Sequence, residues 1–215
     1  MQTLKLKHLL AIRWFHWINF PLLLLMIWSG ILIYWAYDPY SIGPFHFFPR
    51  PVYTAFHIDH GLADGMAMHF FFMWLFTING ILYVTYTIVS GEWRYLLPRS
   101  RSAFSDAFQV LLYDLHVRKE LPPQDKYNAA QQITYTAIVV MGALSVITGL
   151  AIYKPAQLAW LTALCGGYQT ARLIHFALTI GYVLFFVLHV AQVVRAGWNN
   201  FRSMVIGWEV VKGHE

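Results

Sequence analysis

The chain is 215 residues long, 58% hydrophobic and only 12% charged, where a soluble domain of this size carries about 25% charged residues. The single cysteine, Cys165, rules out a thiolate-ligated iron–sulfur cluster, a CxxCH attachment site and an internal disulfide. A net charge of +5 would suit nucleic acid, but the basic residues cluster between apolar stretches and follow topology instead.

The first apolar stretch runs from about residue 14 to 34, close to the roughly 20 residues that cross a bilayer as helix. It is too long for a signal-peptide core and no A-x-A-like site follows, so it is predicted to be retained. The connection from 36 to 63 is rich in Pro, Gly and aromatics; Pro39, Pro44, Pro49 and Pro51 each interrupt a continuous helix there. A second span is predicted over 66–89. In the loop that follows, Phe104, Phe108, Leu111, Leu112 and Leu115 recur at helical spacing and predict a short amphipathic helix at the membrane surface within 104–119. The third span covers about 133–152, a short connection turns at Gly166–Gly167, and the fourth span covers about 173–194. The tail after Trp198 reads as a surface-lying amphipathic piece. No internal repeat is evident.

Lys5, Lys7 and Arg13 precede the first span, and Arg94, Arg99, Arg101, Arg118, Lys119 and Lys126 lie between the second and third. Arg195, Arg202 and Lys212 follow the fourth, while only Arg50, Lys154 and Arg172 fall on the opposite side. The positive-inside rule then places both termini and the 90–130 loop in the cytoplasm. The fold class is therefore an all-α integral membrane protein, residues 1–215 forming one four-helix bundle in a bacterial inner membrane.

Ionisable side chains inside a span are costly and point to function. Four of the ten histidines fall in or at the edges of the spans: His16, His69, His175 and His189. The topology sorts them into two layers, His16 with His189 toward the cytoplasm and His69 with His175 toward the outer face. His175 and His189 are fourteen residues apart. At about 100° and 1.5 Å per residue they project from nearly one helix face, about 21 Å apart along the axis. One face thus supplies a ligand to each of two stacked metal-bearing groups. Neutral imidazole suits haem iron, and ligation from both sides leaves no open position, so the pattern predicts two bis-histidine haems b that shuttle electrons. Gly30, Gly142 and Gly149 let a flat macrocycle approach the helices. Arg13 and Arg172 stand where propionates would emerge. An interhelical hydrogen-bonding role, a proton relay or a tetrahedral metal site also uses histidine, but two matched layers favour haem. His57 and His60, in the external connection, suit interface positions or a quinone-related role. His8, His46, His116 and His214 read as surface residues.

RWFHW at Arg13–Trp17, HFFFMWLFTINGILYV from His69, and RLIHF with LHV carrying His175 and His189 together resemble the bacterial cytochrome b561 and nickel-hydrogenase-type cytochrome b superfamily over essentially the whole chain. The superfamily includes the cytochrome b (gamma) subunits of membrane formate dehydrogenases and of thiosulfate-reductase-like enzymes. KYNAAQQ at Lys126–Gln132 is similar to a formate dehydrogenase segment beside the inner haem, which implies Asn128 as a quinone hydrogen-bond partner. That segment has Gly where this chain has Ala130. Asn128 equally suits a helix cap. GWNNFRSM at Gly197–Met204 looks like members found with periplasmic molybdopterin oxidoreductases.

The resemblance implies an electron-transfer subunit, without substrate chemistry of its own, that links ubiquinone or menaquinone to a periplasmic redox subunit, with a molybdopterin enzyme favoured. A hydrogenase or formate dehydrogenase partner, and a stand-alone b561-type superoxide:quinone oxidoreductase, remain alternatives. The long external connection and the extended cytoplasmic loop weigh against the stand-alone enzyme.

Overall fold

The computed structural model describes residues 2–36, 40–42, 44–98, 102–114, 117–120 and 127–212. Pro39, Arg99, Arg101, Leu115, His116, Lys126 and His214 lie outside them. Four helices are long and apolar enough to cross a membrane: α1 (Leu10–Tyr34), α3 (Leu62–Val89), α6 (Ala129–Tyr153) and α8 (Tyr168–Ile206). Between them stand α2 (Arg50–Ala55), α4 (Trp93–Leu96), α5 (Ala103–Asp114) and α7 (Ala159–Leu164). Four short strands complete the described residues: β1 (Gln2–Leu6), β2 (Ser41–Ile42), β3 (Phe45–His46) and β4 (Trp208–Lys212).

The long helices begin four or five residues before the predicted spans, because first turns that include polar residues such as Arg13, Asp64, Gln131 and Gln169 are still helical. Asp64 occupies the first turn of α3, where a negative charge favours the helix N-terminus. Asn128 caps α6: its side chain accepts from the Gln131 amide at 2.8 Å, and the Gln131 side chain accepts from the Asn128 amide at 3.1 Å. This reciprocal pair satisfies two otherwise orphaned donors. At the other end α8 outruns its apolar stretch, broken at Gly197 (φ 80°), and the surface tail becomes helix followed by β4. Two prolines of the first connection sit where helices tolerate them, Pro49 at the N-cap of α2 and Pro51 in its first turn.

Large apolar side chains are exposed along every long helix, among them Trp28, Trp74, Ile81, Val140 and Leu184. Contiguous exposed apolar surface of this extent is incompatible with water but is what lipid contact requires. The chain divides into two compact units, 1–81 with 188–215, and 82–187; α3 and α8 contribute to both.

In the first unit α1 and α3 cross closely at Gly65, where a Cβ would fall 2.6 Å from Leu32 Cβ, so only glycine fits. β1 and β4 pair antiparallel, Leu4 opposite Val210 and Leu6 opposite Trp208. Lys7 Nζ ties this pair down, donating to Glu209 Oε1 at 2.8 Å and Asn200 Oδ1 at 2.9 Å. The Asn199 side chain adds two bonds to the Val210 backbone, at 2.9 and 3.1 Å.

In the second unit α4, α5 and α7 pack against α6. Ala151, Leu161 and Ala171 are buried together, with Leu150, Ile152, Leu158 and Cys165 around them. Ala103 and Val110 are buried on α5, whereas Phe104, Phe108 and Leu111 on its other side are exposed.

Candidate functional site

The imidazoles of His16 on α1 and His189 on α8 lie close together in the first unit, ring centroids 6.0 Å apart and planes inclined by 53°. His16 Nδ1 is buried without a hydrogen-bond partner. Two imidazoles that share one metal from opposite sides through bonds of about 2 Å have ring centroids roughly 6 Å apart. The pair therefore fits a haem iron between its rings.

The surroundings of this pair come from both ends of the chain. Trp17 stands edge-on to His16 at 5.1 Å, and its indole Nε1 donates to the Met204 carbonyl at 3.0 Å. Arg13, one turn before His16, donates through Nη1 to the Val205 carbonyl at 2.6 Å. Its Nε is buried with no partner, and so is Arg202 Nε. Buried guanidinium nitrogens without partners suit anionic groups, and haem propionates are anions of the right kind. In the sequence Arg202 reads only as a topology-setting cation; its buried Nε, which no sequence pattern signals, adds it to the candidates, although its Nη2 also donates to Asn199 Oδ1 at 3.3 Å.

His69 and His175 lie in different units and are each held by a neighbouring helix. In the first unit Ser29 Oγ on α1 lies 2.9 Å from His69 Nδ1. In the second, Thr148 Oγ1 on α6 lies 2.9 Å from His175 Nδ1. A glycine follows each hydroxyl residue. A Cβ at Gly30 would stand 3.7 Å from His69 Cε1, and one at Gly149 would stand 3.4 Å from His175 Cε1. Both glycines therefore lie against the imidazoles at Cε1, Gly149 also near Nδ1, at ordinary van der Waals distances. Gly142 faces the Tyr182 hydroxyl, 3.7 Å from where its Cβ would be. Sequence reasoning singles out Gly30 and Gly149 but passes over Ser29 and Thr148. The signal is present as a hydroxyl–glycine dipeptide inside each of two spans.

Arg172 stands one turn before His175, as Arg13 does before His16. Its Nη1 donates to Gln169 Oε1 at 3.5 Å and its guanidinium lies 5.8 Å from the Tyr168 ring centre. In the first connection His60 packs edge-on to Trp35 at 6.0 Å with its side chain largely exposed, and His57 has a positive φ of 54°. His8 is half-buried rather than at the surface, whereas His46 is exposed.

At the start of α6 the capping box consumes the side-chain oxygens of Asn128 and Gln131. Their amide NH2 groups, which only donate, take no part in it. Beside them the rings of Tyr127 and Tyr135 meet edge-on at 5.2 Å. Burial, then the neighbouring Tyr135, Glu92 and Tyr83, push the Tyr127 phenol well above its ordinary range and keep it a neutral donor. No sequence pattern announces this tyrosine group, because residues from three separate segments meet in it.

The model of the prokaryotic cytochrome b561 family matches residues 7–207. A protein of Azospira oryzae (strain ATCC BAA-33 / DSM 13638 / PS), provisionally named protein-methionine-sulfoxide reductase subunit YedZ1, is 31% identical over 182 residues, which cover 83% of this chain and 85% of the relative. With a family match over nearly its whole length and four helices fit to cross a membrane, the chain belongs to the prokaryotic cytochrome b561 family of multi-pass membrane cytochromes b.

Proposed function

We propose that the chain is a di-haem b electron-transfer subunit that links the quinone pool to a periplasmic oxidoreductase. The observation that carries the proposal is the 6.0 Å separation of the His16 and His189 rings, the spacing of a bis-imidazole metal site. His16 and His189 hold one haem toward the cytoplasmic side, where both termini lie; His69 and His175 hold the other toward the outer face, by their sequence layering. A haem ligated by imidazole on both sides supplies one-electron transfer with no open position for oxygen.

The chain's own residues shape both ends of the route. Arg13, Arg172 and Arg202 would pair with the propionate carboxylates of a bound haem and hold them at the span edges. The apolar faces of the four spans keep water from the imidazoles. At the start of α6, the Asn128 and Gln131 amides donate to a quinone carbonyl, with the Tyr127 phenol beside them. α5 lies along the cytoplasmic interface with Phe104, Phe108 and Leu111 in lipid, since those three are exposed while Ala103 and Val110 are buried and α5 packs against α6.

The name of the Azospira relative makes a protein-methionine-sulfoxide reductase the first partner to test, and a molybdopterin enzyme is the class favoured by the tail. Reduction of a methionine sulfoxide to the thioether and water consumes two electrons and two protons. A quinol oxidised to quinone supplies two of each. Electron flow would then run from quinol to the partner.

The first test is the visible spectrum and haem-to-protein ratio of the detergent-purified chain. Two b-haems per chain are expected, and His189→Ala or His69→Ala should each remove one. A colourless protein, or substitutions that leave both haems in place, would overturn the proposal. Turnover with superoxide and quinone in the absence of any partner would favour the stand-alone oxidoreductase instead.

A further inference from the structure

Ser29 and Thr148 are almost fully buried, at 0% and 2% exposure, and each stands between a histidine and its own helix backbone. Ser29 Oγ is 2.7 Å from the Leu25 carbonyl and 3.1 Å from the Met26 carbonyl. Thr148 Oγ1 is 2.7 Å from the Leu144 carbonyl and 3.4 Å from the Ser145 carbonyl. A hydroxyl has one proton, and carbonyl oxygens only accept. Were that proton turned to the imidazole, hydroxyl and carbonyl oxygens would oppose lone pairs at 2.7 Å. The proton therefore goes to the i−4 carbonyl, and the hydroxyl oxygen accepts from the imidazole. Nδ1 of His69 and of His175 must then carry hydrogen, which leaves the lone pair on Nε2.

Resting on the ligation by His69 and His175 proposed above, we propose that Ser29 and Thr148 are positioning residues that fix the Nδ1–H tautomer of these two histidines and tune the iron they bind. An acceptor on Nδ1–H raises the basicity of a metal-bound imidazole and locks its ring orientation. A more basic ligand stabilises ferric over ferrous iron and lowers the midpoint potential. The device occurs twice, as Ser29-Gly30 against His69 and as Thr148-Gly149 against His175, each within its own unit. His16 contrasts with both, because its Nδ1 has no partner.

The test uses the full-length holoprotein. Thr148→Val keeps the side-chain shape and removes the hydroxyl acceptor, leaving the Ser145 carbonyl that also bonds the His175 ring; Thr148→Ser restores the hydroxyl. Thr148→Val should raise the midpoint potential of one haem, leave the other transition in place, and weaken haem retention at that site about 10- to 100-fold. Ser29→Ala should likewise shift a single transition upward, and Thr148→Ser should return wild-type values. In haem-free protein, imidazole nitrogen NMR should find hydrogen on Nδ1 of His175, and a tautomer population moved toward Nε2–H once Thr148 is valine. If Thr148→Val leaves both potentials and the tautomer unchanged, the positioning role is overturned while ligation stands. If His175→Ala retains both haems, ligation itself is wrong, and the tautomer measurement still judges the hydrogen bond.

Discussion

The four histidines are alike in chemistry but held in two different ways. His69 and His175 are each fixed by one hydroxyl on a neighbouring transmembrane helix, 2.9 Å away in both cases. His16 has no such hydroxyl; it sits against Trp17, and Trp17 and Arg13 are bonded to the backbone of the tail at Met204 and Val205. The first arrangement is local to a helix pair. The second joins residues 187 and 192 positions apart in sequence, and so depends on the pairing of β1 with β4. A ligand oriented by a buried hydrogen bond should be insensitive to the termini, and one oriented by the tail should not be.

Gly207 offers the strongest way to break this comparison. It has a φ of 93°, and an added Cβ would fall 3.1 Å from the His8 carbonyl and 3.2 Å from Arg13 Cζ. Its carbonyl also accepts from the Lys7 and His8 amides at 2.9 and 3.2 Å. Gly207→Ala should cost about 1–3 kcal/mol through backbone strain. Limited proteolysis should then cut the termini faster, and haem loss should fall on the site of His16 and His189. Equal loss at both haems would mean that the two sites are not held independently.

A smaller effect is expected at Asn128. Asn128→Ala removes the cap and should destabilise α6 by about 1 kcal/mol. Asn128→Asp keeps the acceptor oxygen that the Gln131 amide needs but loses the amide donor. Thermal stability of the aspartate variant should therefore match wild type while the KM for quinol rises. An unchanged KM would leave Asn128 as a cap alone.

Helices and histidines are legible in the sequence because each follows from a local rule. Length and hydropathy mark the spans, and the fourteen-residue spacing by itself puts His175 and His189 on one helix face. What holds those histidines is not legible. Ser29 and Thr148 look like ordinary small polar residues in apolar helices, and only the crossing of α1 with α3, or of α6 with α8, gives them an imidazole to meet. The strands escape notice for a related reason: Thr3–Leu6 and Trp208–Val211 are too short to declare a period, and each is a strand only because the other pairs with it. Arg202 reads as a topology charge in the sequence, yet folding buries its Nε.

The smallest expected effect tests how much the terminal pairing owes to charge. Lys7 and Glu209 meet at 2.8 Å with side chains 33% and 25% exposed. Such partly exposed pairs contribute about 0.2–1 kcal/mol and weaken with salt. Glu209→Gln keeps a hydrogen-bond acceptor for Lys7 and removes only the charge. Proteolysis of the termini should rise slightly at low ionic strength, and the difference from wild type should fade as salt is added. Because Lys7 also reaches Asn200, and Asn199 still bonds Val210, the haem at His16 and His189 should be retained. A haem loss as large as that expected of Gly207→Ala would mean that the ion pair, rather than the backbone geometry of the turn, holds the tail against His16.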